Sequence, residues 1–270
     1  IMKTISFRDA KVAYQIEGKG FPVVLIHGFC SDNRIWEDFK QDLLEENYKV
    51  VTIDLPGFGA SDVVQPVSIR YYAEAVLAVL DERKLGEVIL IGHSMGGYTA
   101  LAVAELAPER LKGVGLFHSQ PYADSDEKKE GRAKQINFIR RQGHQLYVKQ
   151  LIPKLFPAKY GLSYPFDLDK LIHRAARYQA EGIIAGLEAM ANREDRAAVL
   201  SEISCPVLFI VGGEDTAVPP EASRKQLALP AVAEIHVLEK VGHMGMIEAS
   251  RQTQLMVRQF IAFCLKFQSS

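Results

Sequence analysis

Cysteine is scarce in this sequence, with only Cys30, Cys205 and Cys264 among 270 residues. No two of them are close enough along the chain for a C-x-x-C motif, which excludes a dense disulfide scaffold and a cysteine-based zinc site. An odd number leaves at least one thiol free, and this favours reduced cysteines in a cytoplasmic protein. The first nine residues carry charges where a secretion signal needs an apolar run, which supports the same expectation.

The sequence also lacks an excess of charge of either sign, since 32 basic residues nearly balance 33 acidic ones. Binding of nucleic acid or an anionic membrane through the overall field needs a large positive charge, so we expect neither partner. The longest apolar stretch, residues 88–106, has glycine, histidine and serine in its middle. A strand and a helix joined by a turn explain it better than a membrane span does, so no membrane insertion is expected. The oligomeric state is not indicated.

Short apolar segments alternate with helical ones, which is typical of an α/β fold with a mainly parallel sheet. Buried parallel strands lack polar–apolar alternation because both faces are covered. A hairpin is predicted from residues 3–7 and 11–16, which flank a polar turn. Fully buried strands are predicted at residues 23–26, 50–53, 88–91, 114–117, 207–211 and 235–238.

One region interrupts this alternation, because residues 120–204 contain no strand pattern. Ile183, Leu187 and Met190 recur there at helical spacing, which predicts a helical insertion lying on the sheet. The mixed charges of residues 124–141 are interpreted as a solvated helix face. The predicted organisation is therefore a core of residues 2–119 and 205–270 with an inserted helical region of residues 120–204.

Gly92-x-Ser94-x-Gly96 fits the G-x-S-x-G nucleophile elbow. In such an elbow the serine lies on a tight strand-to-helix turn, and only glycines at the flanking positions let the backbone pass closely enough. The predicted strand 88–91 precedes the motif, and an alanine-rich helical segment follows it, as the elbow requires. Ser94 is therefore predicted to be a nucleophile; the alternative is a glycine-rich turn with an inactive serine.

Three further motifs each follow a predicted strand. His27-Gly28-Phe29 follows strand 23–26, where a backbone N–H can face a developing oxyanion, with the N–H of Met95 as the second donor. Asp215 follows strand 207–211, and His243 follows the last predicted strand. Open α/β sheets bind their ligands at these strand ends. The order Ser94, Asp215, His243 predicts a triad in which His243 takes the serine proton and Asp215 orients His243.

Residues 54–61 (DLPGFGAS) add to these motifs, because they are similar to the D-x-P-G-x-G-x-S loop that follows the fourth strand in the α/β-hydrolase superfamily. The sequence thus resembles a capped serine hydrolase of that superfamily, of the carboxylesterase type. The resemblance covers nearly the whole chain outside the insertion. It implies an eight-stranded, mainly parallel sheet with helices on both faces and a helical cap inserted after the sixth strand. It also implies the triad Ser94, Asp215 and His243 and the oxyanion donors Phe29 and Met95.

Two departures from the superfamily's patterns narrow the expected reaction. Phe29 and Cys30 follow Gly28, so the H-G-G-G signature of some lipases and esterases is absent. The nucleophile is a serine, whereas related epoxide hydrolases and haloalkane dehalogenases use an aspartate. Both of those reactions are therefore disfavoured.

Several other side chains are candidates for substrate contacts, although ordinary packing is an equal alternative for each. For His27, a hydrogen bond to backbone is the favoured alternative. No pair of histidines has the H-E-x-x-H spacing, so we predict neither a catalytic metal nor a cofactor. The candidates are His27, Trp36, His118, Tyr122 and Met244.

Together these motifs predict a serine hydrolase that cleaves a small carboxylic ester through an acyl-enzyme intermediate, with a small acyl compound as its partner. Cleavage of thioesters, amides or carbon–carbon bonds and perhydrolysis use the same residues, and a fold does not decide among them. A ligand-binding receptor with low turnover is the alternative outside the enzyme class. The cap is expected to cover Ser94 and to shape the acyl pocket.

Overall fold

An eight-stranded sheet forms the centre of the computed structural model, which describes residues 1–268. The strand order is β1-β2-β4-β3-β5-β6-β7-β8. β2 pairs antiparallel with β1 and with β4, and the remaining pairs are parallel. The predicted hairpin and fold class are thus confirmed. The strands are β1 Lys3–Phe7, β2 Ala10–Glu17, β3 Pro22–Ile26, β4 Lys49–Ile53, β5 Val88–His93, β6 Leu111–Phe117, β7 Val207–Gly212 and β8 Ala233–Leu238.

The central strands are apolar because helices cover both of their faces. Every residue of β5 and of β7 is buried, which explains the absence of alternation in their sequences. β8 differs from the prediction of a fully buried strand. It lies at the edge of the sheet, and Ile235 and Val237 are 44% and 54% exposed.

Helices pack on the sheet in pairs: α2 lies against α3, and α1 lies against α12. Short 3-10 helices are formed by Asn33–Trp36, Pro108–Arg110 and Ile152–Leu155. The α-helices are α1 Phe39–Glu45, α2 Ile69–Glu82, α3 Met95–Leu106, α4 Asp126–Gln142, α5 His144–Leu151, α6 Ala158–Ser163, α7 Pro165–Ala175, α8 Ala180–Ala191, α9 Ala197–Glu202, α10 Pro220–Gln226, α11 Gly245–Glu248 and α12 Ser250–Lys266.

Six of these helices, α4 to α9, lie between β6 and β7, where the sequence predicts a helical insertion. We call residues 120–204 the insertion. Its α8 buries Ile183 and Leu187 completely. The backbone of Gly182 in α8 lies so close to Gly57, in the loop after β4, that a Cβ on either glycine would overlap the other. The insertion therefore packs directly on the loops that follow the parallel strands.

A second link between insertion and core is a hydrogen bond from the Tyr178 hydroxyl to Asp32, 2.6 Å long. Asp32 follows β3 and also accepts hydrogen bonds from the Arg34 side chain. Burial alone would raise the pKa of Asp32, but the bonds from Arg34 and Tyr178 outweigh it and hold that pKa at about 2. The carboxylate is therefore ionised when the phenol donates to it.

Replacing Tyr178 by phenylalanine should weaken the attachment of the insertion. A hydrogen bond to a buried charged group contributes about 1.5–3 kcal/mol, so Tyr178→Phe should lower the free energy of unfolding in urea by that amount. Because the folded pKa of Asp32 is depressed, the contribution is present above the unfolded pKa of 3.8 and is lost as the pH falls through about 2. The difference in the free energy of unfolding between wild type and Tyr178→Phe should therefore shrink as the pH falls from 3.8 to about 2.

Tyr160→Phe is the matched control, because its hydroxyl bonds Asp167 within the same insertion. It should cost less than about 1 kcal/mol, as expected for a polar contact near the surface. Equal losses in the two variants would contradict a special role for the bond between Tyr178 and Asp32.

Candidate active site

Ser94 lies on the turn between β5 and α3 with a strained backbone, at φ 53° and ψ −115°. This left-handed φ is one that side chains other than glycine rarely adopt. The Ser94 N–H donates to the carbonyl of Phe117 at 2.9 Å, which fixes the turn against the end of β6. A Cβ on Gly92 would overlap the carbonyl of Gly96, and one on Gly96 would overlap the carbonyl of Ile26. The two flanking glycines are therefore required sterically.

The loop after β3 approaches the same serine. A Cβ on Gly28 would lie 3.1 Å from the Cβ of Ser94, so these two segments of the backbone pass very close to each other. Within residues 1–268, no hydrogen-bond acceptor is found for the backbone N–H of Phe29 or of Met95. Both groups therefore retain the capacity to donate to a ligand.

His243 and Asp215 form a buried pair, with 2.8 Å between Nδ1 of His243 and Oδ2 of Asp215. The other carboxylate oxygen of Asp215 accepts from the N–H groups of Ala217 at 2.9 Å and Val218 at 3.0 Å. Burial raises the pKa of Asp215, but His243 and the backbone donors outweigh burial and leave that pKa below its ordinary value. Asp215 is thus an ionised acceptor that fixes Nδ1 of His243 as the protonated nitrogen.

The other acids that could serve His243 are placed elsewhere. Asp124 is buried and forms ion pairs with Arg132 and Arg193, the latter at 2.6 Å. Glu214 is exposed to solvent. Among the described residues, Asp215 alone has a carboxylate oxygen within hydrogen-bond distance of the His243 ring.

The main chain around His243 is held at both flanks by one side chain, that of Glu248. Its two carboxylate oxygens accept from the N–H groups of Gly242 at 2.9 Å and Met244 at 2.8 Å. Burial raises the pKa of Glu248 despite these two bonds. Sequence reasoning missed this residue, because an acid at the end of a short helix such as α11 is not distinguishable in the sequence from a solvated one.

Three other histidines surround the turn, and burial lowers the pKa of each. His93 Nε2 donates to the carbonyl of His243 at 2.8 Å. His118 Nε2 accepts from the N–H of Gly245 at 3.0 Å, and burial lowers its pKa to about 3. His27 accepts from the N–H of Leu55 at 2.9 Å. These rings are neutral supports of the backbone.

A cavity of about 340 Å³ opens above the turn and is lined by both Ser94 and His243. Phe29 and Met244 form part of its wall together with Tyr98, Leu155 and Met190. The cavity lies between the strand ends and the insertion, since its wall also contains residues of α4, α5 and α7.

Four of the predicted substrate contacts need correction. Trp36 is fully buried, because its large ring packs in the core against Phe39 and Phe117. Tyr122 lies outside the cavity wall, and its carbonyl accepts from Arg193. His27 and His118 do not line the cavity either, since their rings bond backbone groups below it.

Residues 1–268 contain no group of three or more histidine, cysteine or acidic side chains that could hold a metal ion. No helix in the same residues is both long and apolar enough to span a membrane.

The profile of the alpha/beta hydrolase family matches residues 23–254. The chain belongs to this family, which agrees with the sheet order and the strained serine turn. Its relatives support a hydrolytic function.

Three similar proteins illustrate the range of the family. A dihydrolipoyllysine-residue acetyltransferase component of an acetoin cleaving system from Pseudomonas putida is 32% identical over 94% of the chain, which spans 66% of that protein's length. A 2-hydroxy-6-oxononadienedioate/2-hydroxy-6-oxononatrienedioate hydrolase from Escherichia coli K12 is 28% identical, covering 89% of the chain and 86% of that protein. The structure of a thermophilic esterase from Thermogutta terrifontis superposes with a TM-score of 0.91 at 28% identity, covering 98% and 99% of the two chains.

The close approach at the turn gives a prediction for Gly96. Alanine normally stabilises a helix relative to glycine by about 1 kcal/mol. Gly96→Ala should instead lower the free energy of unfolding by about 1–3 kcal/mol, because its Cβ would overlap the carbonyls of Ile26 and His27. Urea unfolding followed by circular dichroism measures the change.

Gly86→Ala is the control, since a Cβ there meets no atom within 4 Å. This variant should be as stable as wild type or slightly more so. If Gly96→Ala behaves in the same way, the backbones at the turn are not in contact.

Proposed function

We propose that this protein is a serine hydrolase that cleaves small carboxylic esters, with Ser94 as nucleophile, His243 as general base and acid, and Asp215 orienting His243. The observation that carries the proposal is the arrangement around one cavity. Ser94 and His243 line it together, and Asp215 holds Nδ1 of His243 at 2.8 Å. This leaves Nε2 as the unprotonated nitrogen that can accept a proton.

In the proposed reaction the Ser94 hydroxyl attacks the ester carbonyl while Nε2 of His243 takes its proton. The N–H groups of Phe29 and Met95 stabilise the resulting oxyanion. They can donate to it because, in residues 1–268, neither N–H has another acceptor. His243 then returns the proton to the departing alcohol, and an acyl-enzyme remains. Water activated by His243 attacks this ester, releases the acid and restores Ser94. No step in this sequence needs a metal or a cofactor.

The insertion is proposed to act as a cap domain over this site, with residues 2–119 and 205–270 forming the catalytic core. The carbonyl of Leu155 in the insertion accepts from the N–H of His243 at 2.9 Å, so the insertion directly contacts the proposed base. Tyr147 and Leu151 extend the apolar wall over the cavity. Such a cover limits water around the oxyanion and selects the acyl group.

A second candidate reaction is hydrolysis of a carbon–carbon bond beside a ketone. It is favoured by the relatives named as hydrolases of a 2-hydroxy-6-oxo dienedioate, a compound without an ester bond. The same serine, histidine and oxyanion donors can serve that reaction. Comparing turnover of 4-nitrophenyl esters with that of a vinylogous 1,5-diketone separates the two. Binding with about one turnover or fewer would favour a receptor instead.

Ser94→Ala should lower kcat for the best ester by about six orders of magnitude, the scale found when a triad serine is removed. The fold should be retained, because alanine keeps the Cβ. Steady-state kinetics measures kcat, and a fluorophosphonate probe should label wild type at Ser94. Probe labelling of the variant at the wild-type rate would show that another residue is the nucleophile.

Asp215→Asn should lower kcat by about 10⁴-fold, because the amide favours the wrong tautomer of His243 while keeping the shape of the side chain. Glu214→Gln is the matched control at the neighbouring exposed acid and should leave kcat unchanged. Asp124→Asn should lower stability, because Arg132 and Arg193 lose their shared carboxylate. If kcat of the folded protein collapses in Asp124→Asn and not in Asp215→Asn, the proposed triad is wrong.

A further inference from the structure

The lysine and arginine side chains in the wall of the cavity above Ser94 give that wall a positive charge. Lys128 and Arg132 line it from α4, where their spacing of four residues places them on one helix face. Lys154 adds a third cation from the 3-10 helix Ile152–Leu155. Among the described residues that line this cavity there is no aspartate or glutamate.

Asp124 holds the guanidinium of Arg132 in place but does not accept hydrogen bonds from all of its nitrogens. Its Nε and Nη2 donate to the two oxygens of Asp124. Asp124 is shared with Arg193, which donates from Nη1 at 2.6 Å. One carboxylate thus balances two guanidinium groups. For Nη1 of Arg132, no acceptor is found in residues 1–268, and Arg132 lies in the cavity wall.

Lys128 extends across the cavity towards the loop that follows Asp215. Its Nζ lies 3.5 Å from the carbonyl of Ala217. Burial lowers the pKa of this lysine and the positive charge of Arg132 lowers it further, whereas Asp124 and Asp215 act in the opposite direction. Three cations, Lys128, Arg132 and Arg193, thus stand near two carboxylates, those of Asp124 and Asp215. An anion placed in the cavity would be attracted by Lys128 and Arg132.

The charges of residues 124–141 are predicted to form a solvated helix face, and Lys128, Lys129 and Lys134 are indeed exposed. Lys128 and the half-buried Arg132 also line the cavity, whereas Lys129 and Lys134 do not. Helix α4 thus places two of its cations in the cavity wall.

We propose that Lys128 and Arg132 form a subsite for a carboxylate group of the substrate, carried at a distance from the bond that Ser94 attacks. The preferred substrate class is then an ester that bears a free carboxylate, such as a monoester of a dicarboxylic acid. An anchored guanidinium and an ammonium together bind a carboxylate by charge-assisted hydrogen bonds. This inference rests on the proposed function, because it describes a substrate of the same site.

Paired esters of equal length test the subsite. Mono-4-nitrophenyl glutarate carries the carboxylate on its acyl part, and 4-nitrophenyl methyl glutarate is its neutral counterpart. The butyrate esters of 4-hydroxybenzoate and of methyl 4-hydroxybenzoate carry the charge difference on the leaving group. In one of the two pairs, wild type should show a kcat/KM at least about tenfold higher for the anionic ester, the scale of a hydrogen bond between charged groups.

Lys128→Gln should reduce this ratio to about one, because the anionic ester alone loses a charged partner. Lys128→Arg should restore the preference, because it restores the charge. Lys129→Gln is the matched control, because this neighbouring exposed lysine lies outside the cavity wall, and it should keep the wild-type ratio. A ratio of one or less for both pairs in wild type, or a ratio unaffected by Lys128→Gln, overturns the subsite. Turnover of the neutral esters would then still support the serine hydrolase.

Calorimetric titration with glutarate gives a readout that does not depend on turnover. Wild type and Ser94→Ala should bind this dicarboxylate, and Lys128→Gln should bind it at least about tenfold more weakly. If glutarate binds but no ester is hydrolysed, the subsite is supported and the proposed hydrolase reaction is wrong. If glutarate does not bind wild type, the subsite is wrong whatever the esters show.

Discussion

The turn between β5 and α3 brings three backbone segments into contact, and the arrangement of the site depends on that contact. Gly96 lies against the carbonyls that end β3, Gly92 lies against Gly96, and Gly28 lies against Ser94. No side chain can be inserted between these segments without displacing backbone, so the pairing of β3 with β5 can bring the end of β3 against the start of α3 only because these positions are glycines. The N–H groups of Phe29 and Met95 belong to those two segments. Their relative placement therefore follows from the packing of glycines rather than from any ligand.

Electrostatics then distinguishes one histidine from its neighbours. His27, His93 and His118 are buried, and burial lowers the pKa of each ring below its ordinary value. In each ring at least one nitrogen hydrogen-bonds a backbone group. Each ring therefore stays neutral and supports the backbone around the turn. His243 is different because its ring hydrogen-bonds an ionised carboxylate, that of Asp215. The hydrogen bonds of the other three rings go to backbone groups.

The sequence was sufficient to predict the features that depend on local rules. Runs of apolar residues located the strands because buried parallel strands need no alternation, and the glycines around Ser94 indicated a turn that only glycine permits. The exposed edge of β8 was not predicted, since exposure depends on which neighbours a strand has in the sheet. Trp36 was misplaced for the same reason: a large apolar ring fits a core or a pocket equally well until the packing of Phe39 and Phe117 is known.

The cavity wall was the least predictable part, because it is made where the insertion meets the ends of the strands. A helix such as α4 shows its charges in the sequence, but the sequence does not give its rotation about its axis relative to the sheet. That rotation decides that Lys128 lines the cavity and Lys129 does not. It is fixed by contacts far apart in the chain, including the packing of α4 on α8 and the ion pair of Asp124, just before α4, with Arg193. The strand ends are held by the local requirements of the serine turn, whereas the helices above them have no such requirement. Changes in α4 can therefore alter which groups line the cavity while the bonds of His243 to Asp215 and to the carbonyl of Leu155 stay in place.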